Sequence, residues 1–435
     1  MNSRFLKQMN KIGVSKKTNI LLAVSGGIDS MVLFDLLLKN NFSFSVAHCN
    51  FSLRDRESDE DGSFVKRICD LSSVKFFIKK FNTTTYADDN NLSPQMAARK
   101  LRYDWFKILC EDCNFSFIAT AHHCNDSVET LLINLIRGTG VSGLRGIKEL
   151  DQNIIRPLLS FTKNDLIKYT NDNNIQYRED SSNSSNKYVR NKVRNQIIPI
   201  MQEINPDLID SISKTMSKIE DVEIIYKQYV HRKKKKLLIF SNSEYTVCID
   251  QLLKEPAPKQ LLYEIISDFG FKDIDSTFAS LFSTSGKEFY NEAFYMVKDR
   301  NQIIITKHIS NDSDLVFEET NTLSIPFNIS FNIITNIDSF KDLLFSNQEM
   351  YINYSNLKFP LLIRPWKAGD SFIPLGMKQF KKLSDYFIDK KFSLVAKKKS
   401  RVLVSDNQIV CIIGERLDER FKLVQNSRKA YIVKT

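Results

Sequence analysis

Asn19-Ile20-Leu21-Leu22-Ala23-Val24-Ser25-Gly26-Gly27-Ile28-Asp29-Ser30-Met31-Val32-Leu33-Phe34-Asp35-Leu36-Leu37-Leu38 is the stretch on which the reading of this chain turns. An apolar run stops at Ser25-Gly26-Gly27-Ile28-Asp29-Ser30, and a helical pattern begins at once. Strand, glycine-rich loop and helix follow one another without a gap. Such a junction is an anion site. Glycines let the backbone approach a ligand, and the first N–H groups of a helix have no partner within it. The hydroxyls of Ser25 and Ser30 add donors, and Asp29 adds a carboxylate suited to Mg²⁺. No Gly-Lys-Ser/Thr closes the loop, so it is not the P-loop of the common ATPases. Its glycine spacing is not that of a dinucleotide fingerprint either.

The rest of the first two hundred residues repeats the alternation. Strands are expected at Phe42–His48, Lys75–Ile78, Phe117–Ala121 and Ile154–Ile155, with helices at Asp61–Leu71, Ser93–Cys110, Asp126–Arg137 and Thr162–Asn173. Ser93 and Thr162 are suited to cap their helices, and Pro94 to occupy a first helical position. Strands separated by helices imply a doubly wound parallel sheet, an α/β domain over residues 1–205. Ligands of such sheets sit beyond the C-terminal strand ends. A long helix is expected over Pro206–Lys236 and another over Gln251–Phe269, giving a small, mostly helical domain at 206–318. Asn311–Thr322 reads as a polar linker, and residues 319–435 as a C-terminal α+β domain.

Composition narrows the class. The 435 residues are 42% hydrophobic and 26% charged, as expected of a soluble globular chain of two or three domains. The net charge of +11 suggests a polyanionic partner. No apolar run nears the ~20 residues that span a bilayer, so no membrane partner and a cytoplasmic location are expected. Seven cysteines, an odd number, argue against a disulfide scaffold. Cys110 and Cys113 have metal-ligand spacing and Cys124 follows, but without a second pair they read as partly buried thiols.

A second segment carries chemistry: Ala119-Thr120-Ala121-His122-His123-Cys124-Asn125-Asp126-Ser127-Val128-Glu129-Thr130. It leaves a strand and enters a helix, with Asp126 expected as the N-cap. If this strand neighbours the first one, Asp29 and Asp126 would grip one Mg²⁺ against a triphosphate.

The string SGGIDS resembles the SGGxDS loop of the PP-loop ATP pyrophosphatases. The histidine segment is similar to the AHHxxDxxET motif of the tRNA(Ile)-lysidine synthetases within them. In order along the chain, Ala47–Arg54, Ala97-Ala98-Arg99 with Arg102-Tyr103, Gly138–Gly146, Arg156–Leu159, Glu179–Asn183, Tyr188–Arg194, Arg364-Pro365, Gly369-Asp370, Lys381-Lys382-Leu383 and Gly414–Arg420 match further segments of that family. One departure is Ser127, where the family often has Gln.

The resemblance implies ATP and Mg²⁺ as cofactors. It implies adenylation of C2 of the wobble cytidine in a tRNA(Ile) with a CAU anticodon, then attack by free L-lysine to give lysidine, AMP and diphosphate. Ser25, Gly26, Gly27, Ile28, Asp29 and Ser30 would hold the phosphates, and Asp29 and Asp126 the metal. Arg99, Arg102 and Arg145 would pair with phosphates. Asp126 or His122 would serve as base, and Glu129 is a candidate contact for lysine's ammonium. Arg190, Lys192 and Arg194, together with Lys378–Lys382, Lys397–Lys399 and Arg401, would meet RNA, with Lys381 and Lys382 foremost and Phe380, Tyr386 and Phe392 interleaved. The sequence does not set the oligomeric state, and a homodimer is compatible with it. The alternatives are a tRNA cytidine thiolase, which needs a cysteine-held cluster, and a non-catalytic, ATP-sensing tRNA-binding protein.

Overall fold

The computed structural model describes residues 1–53, 55–179, 189–308, 314–319, 329–335 and 349–434. These fall into two compact units, Met1–Lys227 and Gln228–Thr435. The expected motif residues Arg54, Asp180–Asn183 and Tyr188 lie outside the described residues.

The first unit holds β1 (Ile20–Ala23), β2 (Phe44–Asn50), β3 (Phe76–Lys80), β4 (Phe117–Ala119), β5 (Leu150–Asp151) and β6 (Ile154–Ile155). They form one sheet in the order β3-β2-β1-β4-β6-β5. All neighbours are parallel except the short β5–β6 pair. Its helices are α1 (Asn2–Lys11), α2 (Ile28–Lys39), α3 (Asp55–Leu71), α4 (Thr83–Asp89), α5 (Pro94–Cys113), α6 (Cys124–Arg137), α7 (Val141–Leu144), α8 (Lys163–Asn173), α9 (Val189–Lys192) and α10 (Ile198–Ile204). β1 is central, so Ile20, Leu21 and Leu22 are fully buried, as are Val32, Leu33, Leu36 and Leu37 of α2. The expected doubly wound sheet is present. Strand order reverses between β1 and β4, where Leu22 pairs with Ala119. The crevice at that reversal is where such sheets bind ligands.

The expected caps of α5 and α8 form. Ser93 accepts the N–H of Met96, and Thr162 that of Asp165. Asp126 is a correction. Helix α6 begins earlier, at Cys124 with His123 as N-cap, so Asp126 is the third helical residue and accepts the His123 N–H at 3.0 Å. A carboxylate three residues inside can reach back to the cap's own backbone, and here it does.

α11 (Leu208–Leu237) contains the boundary between the units. The second unit continues with β7 (Leu238–Ser241), β8 (Glu244–Cys248), α12 (Ile249–Leu253), α13 (Pro258–Ser267), α14 (Ile274–Ser280), β9 (Glu288–Tyr290), β10 (Phe294–Asp299) and β11 (Gln302–Lys307). The expected helix over Gln251–Phe269 is two helices, because Pro256 and Pro258 cannot sit in a helix interior. Beside these helices stands a five-stranded sheet, β7-β8-β11-β10-β9, of antiparallel pairs. Of the expected linker only residues 314–319 are described, and Leu315–Phe317 there is a strand, β12. The strand-rich remainder comprises β13 (Ser330–Thr335), β14 (Glu349–Asn353), β15 (Leu361–Pro365), β16 (Ser371–Phe372), β17 (Lys381–Lys382), α15 (Leu383–Asp389), α16 (Leu394–Lys399), β18 (Arg401–Ser405), β19 (Gln408–Ile412), β20 (Arg416–Leu417) and β21 (Lys429–Lys434). Within this unit α16 docks on the five-stranded sheet. Val395 packs with Tyr295, Val297 and Ile304, and Asp299 accepts the Leu394 N–H at 2.9 Å.

Candidate active site

The glycine-rich loop lies directly after β1. Gly26 has φ of +97°, a left-handed conformation that only glycine adopts without strain, and its carbonyl accepts the Arg178 N–H at 3.0 Å. Gly27 caps α2 from an extended conformation. Ser30 Oγ donates to the Gly27 carbonyl at 2.8 Å and lies 3.3 Å from Ser25 Oγ, so the two hydroxyls line one side of the turn.

Because β1 and β4 are neighbours, the segment after β4 arrives beside this loop. His123 is 4% exposed, and its Nε2 lies 3.6 Å from Asp29 Oδ2 and 3.6 Å from Asp126 Oδ2. The two carboxylates singled out in the sequence thus flank one imidazole nitrogen. The other ring nitrogen, Nδ1, is buried without a hydrogen-bond partner. Asp29 also accepts from Lys163 Nζ at 2.6 Å. Burial alone raises its pKa, but the hydrogen bond and charge of His123 and the ammonium of Lys163 outweigh burial and hold it below the usual carboxylate range. Asp126 behaves alike. Burial raises it, while His123, His122, the His123 N–H and Arg190 together bring it down.

His122 lies 2.9 Å from Thr120 Oγ1 through Nδ1. Burial pushes its pKa down to about 4, Asp126 opposes, and Arg156, Arg190 and Arg99 reinforce the fall. The imidazole is therefore neutral at physiological pH. Arg99 itself is solvent-facing, its guanidinium carbon 5.0 Å from the Tyr103 ring.

Arg190 and Arg194, expected to face RNA, engage this same site. Arg190 Nε donates to Glu129 Oε2 at 2.8 Å, and Arg194 Nε to Glu129 Oε1 at 2.6 Å, with Arg194 also 3.2 Å from Asp126 Oδ1. Glu129 is 1% exposed, and a buried carboxylate requires such partners. Arg145, expected on a phosphate, instead donates to Glu223 of α11 at 2.7 Å, beside Ser142 at 2.5 Å. Ser127, where the family often has Gln, accepts the Ile147 N–H at 2.8 Å, and a Cβ on Gly146 would come within 2.3 Å of its hydroxyl. The short side chain fits a close crossing.

In the second unit the lysines divide. Lys382 and Lys378 are exposed, whereas Lys381 pairs with Asp389. Lys398 binds Glu288 at 2.7 Å, Lys399 binds Glu244 at 2.7 Å, and Arg401 is 6% exposed and donates to the carbonyls of Lys398, Lys399 and Ser400. These three were expected on RNA and are engaged within the fold. Tyr386 and Phe392 pack in a core cluster, and only Phe380 of the interleaved aromatics is open, at 62% exposure.

The sequence reading missed two residues. Glu223 carries no local signal. Lys163 does: it is a cation at the first position of a helix, where the dipole disfavours one.

Comparison with known proteins shows the family. A family profile described as the PP-loop domain matches residues 1–201, and one described as the TilS substrate binding domain matches residues 240–308. A tRNA(Ile)-lysidine synthase of Parabacteroides distasonis is 36% identical over 425 residues, covering 97% of this chain and 96% of its own length. The chain belongs to the tRNA(Ile)-lysidine synthase family. Another such synthase, from Bacteroides thetaiotaomicron, is 37% identical and covers 95% of each chain. Among solved structures, a U34-tRNA thiolase from Methanococcus maripaludis, described with its 4Fe-4S cluster, covers 50% of this chain at 16% identity and a TM-score of 0.42. In this lysidine synthase relative, Cys110 and Cys113 pack in a different core cluster from Cys124. Burial raises the thiol pKa of both Cys110 and Cys124, disfavouring the thiolate that ligates metal. Among the described residues no three His, Cys, Asp or Glu side chains stand as a metal-holding group, and no helix is long and apolar enough to cross a membrane.

Proposed function

We propose that this chain is an ATP-consuming ligase that joins free lysine to C2 of the wobble cytidine of a tRNA(Ile) bearing a CAU anticodon, giving lysidine, AMP and diphosphate. The observation that carries the reading is the convergence of Asp29 and Asp126 on one imidazole, beside a glycine-rich anion cradle, in a chain of this family.

The residues suit the work. The loop N–H groups and the hydroxyls of Ser25 and Ser30 would hold the departing diphosphate, keeping the α-phosphorus in line with the attacking base oxygen. Asp29 and Asp126 would hold Mg²⁺, which needs only one or two carboxylates besides phosphates and water, and the ion would neutralise charge developing on the phosphates. Lysine's ε-ammonium must lose a proton before it attacks. His122 is neutral and can accept one; burial is the main cause of its low pKa, and a phosphate arriving among Arg99, Arg156 and Arg190 offsets the smaller part due to those cations. Glu129, expected at lysine's ammonium, is buried with both oxygens on Arg190 and Arg194, which leaves those two half-exposed arginines to meet the amino acid's carboxylate. The exposed lysines of the second unit suit a polyanion in the cytoplasm.

The test mixes ATP, radiolabelled lysine and bulk tRNA with the purified chain. Label that becomes acid-insoluble and RNase-sensitive, together with diphosphate, supports the reading. Diphosphate that never appears, or label that stays acid-soluble, overturns it.

A further inference from the structure

Lys163 is a cation in an unfavourable place. It opens α8, at the helix end whose dipole favours negative charge. Its backbone is fixed. Thr162 and Asp165 close a reciprocal capping pair around it, and Asn125 Oδ1, from α6, accepts its N–H at 2.9 Å. From that base the ammonium reaches Asp29 Oδ1 at 2.6 Å, with 34% of the side chain exposed. The pair is not needed to hold α2 against α8. Tyr169 donates to Asp35 at 2.8 Å and Lys39 to Asn173 at 2.7 Å, and both join the same two helices.

Asp29 is also the loop carboxylate suited to the metal. Lys163 holds Oδ1 of Asp29, while Oδ2 faces the His123 nitrogen that Asp126 also flanks. An Mg²⁺ shared by the two carboxylates would draw on Oδ2 and neutralise the charge that holds Lys163, and the anion then within the cradle is the nucleotide's phosphate chain.

We propose that Lys163 is a nucleotide-binding residue of this site: it neutralises Asp29 while the cradle is empty and turns its ammonium to the phosphates once a divalent cation claims that carboxylate. This rests on the ATP reading of the glycine-rich loop. It requires no change in the overall reaction, since the lysine only moves between two anions.

The test uses the full chain, its Lys163→Met and Lys163→Arg variants, and an ATP analogue with a methylene between the α and β phosphorus. Calorimetric titration with and without Mg²⁺ reads binding, and diphosphate release against Mg²⁺ reads the metal requirement. Lys163→Met is expected to bind the analogue on the order of tenfold more weakly in Mg²⁺, with Lys163→Arg recovering most of that loss. Its half-saturating Mg²⁺ is expected to fall, because no ammonium competes for Asp29. A Lys163→Met protein that binds the analogue like wild type, needs the same Mg²⁺ and merely melts earlier overturns the proposal and leaves a plain ion pair. Failure of the wild-type chain to bind the analogue at all would sink the ATP reading and this proposal together, so the two failures are distinguishable.

Discussion

Two basic clusters that look alike in sequence do different things in the fold. In the first unit Arg190 and Arg194 hold the buried Glu129, yet each keeps more than a third of its side chain exposed, at 40% and 36%. They can be reached by whatever enters the site. In the second unit Lys398 and Lys399 clasp Glu288 and Glu244, and Arg401 is buried against the end of α16. There the cations weld one helix onto a sheet. The sign of the charge is the same in both. What decides its use is whether the neighbouring carboxylates belong to a cleft or to a packing contact.

The sharpest break in that comparison comes from the cleft's own carboxylate. Asp126→Asn keeps an oxygen for the His123 N–H, so the cap survives, but it removes the charge that faces His123 and Arg194. With the metal's hold weakened, diphosphate release is expected to fall by about 10²–10⁴-fold with little change in melting temperature. A variant at full rate would remove Asp126 from the chemistry. Glu129→Gln should act differently, since it removes the buried charge that both arginines share. A loss of about 2 kcal/mol in denaturant unfolding is expected, moderated by the arginines' exposure. The Glu288 side chain is 30% exposed against 1% for Glu129, so Glu288→Gln should cost below about 1 kcal/mol.

The same contrast shows what was legible beforehand. The sheet, its order of strand and helix and the glycine-rich loop between β1 and α2 follow from short-range patterns, and the structure has them. Asp29 and Asp126 stand out in the sequence because each sits in a motif at a strand end. Their meeting at His123 needed only that β1 and β4 be neighbours. Lys163 and Glu223 were not found. Each acts on a partner more than seventy residues away, Asp29 and Arg145, and no local pattern encodes that distance. Arg145 was misplaced for the same reason. The second unit's lysines are expected on RNA from their charge, the interleaved aromatics and the family resemblance, none of which says which of them meet Glu244 and Glu288 from a distant sheet. The cap of α6 lies three residues before the expected one because His123 is an uncommon cap and Asp126 a common one.

His122 gives a pH-dependent test of how deeply the cleft is closed. Its folded pKa of about 4 lies below the ordinary histidine value of 6.5. Between those values the unfolded chain binds a proton that the folded chain refuses, so stability falls as pH drops from about 6.5 towards 4. Above 6.5 both forms are neutral and the contribution is constant. Comparing the wild type with His122→Gln isolates the effect. The wild type should lose about 1–3 kcal/mol more than the variant across that window. Parallel curves would mean that the ring is reached by water.

The smallest effect tests the second unit's division of labour. Lys382 is exposed, whereas Lys398 is held by Glu288 and lies 4.4 Å from the Tyr295 ring centre. If Lys382 touches RNA phosphate, Lys382→Gln should lower tRNA affinity about two- to threefold at moderate salt and reduce the slope of log affinity against log salt by about 1. Lys398→Gln should leave that slope unchanged, because its charge is already neutralised within the protein and releases no counterions on binding. Filter binding at several salt concentrations measures both. Equal slope changes in the two variants would mean that RNA pulls Lys398 away from Glu288, and the welded helix would then be part of the RNA-binding surface.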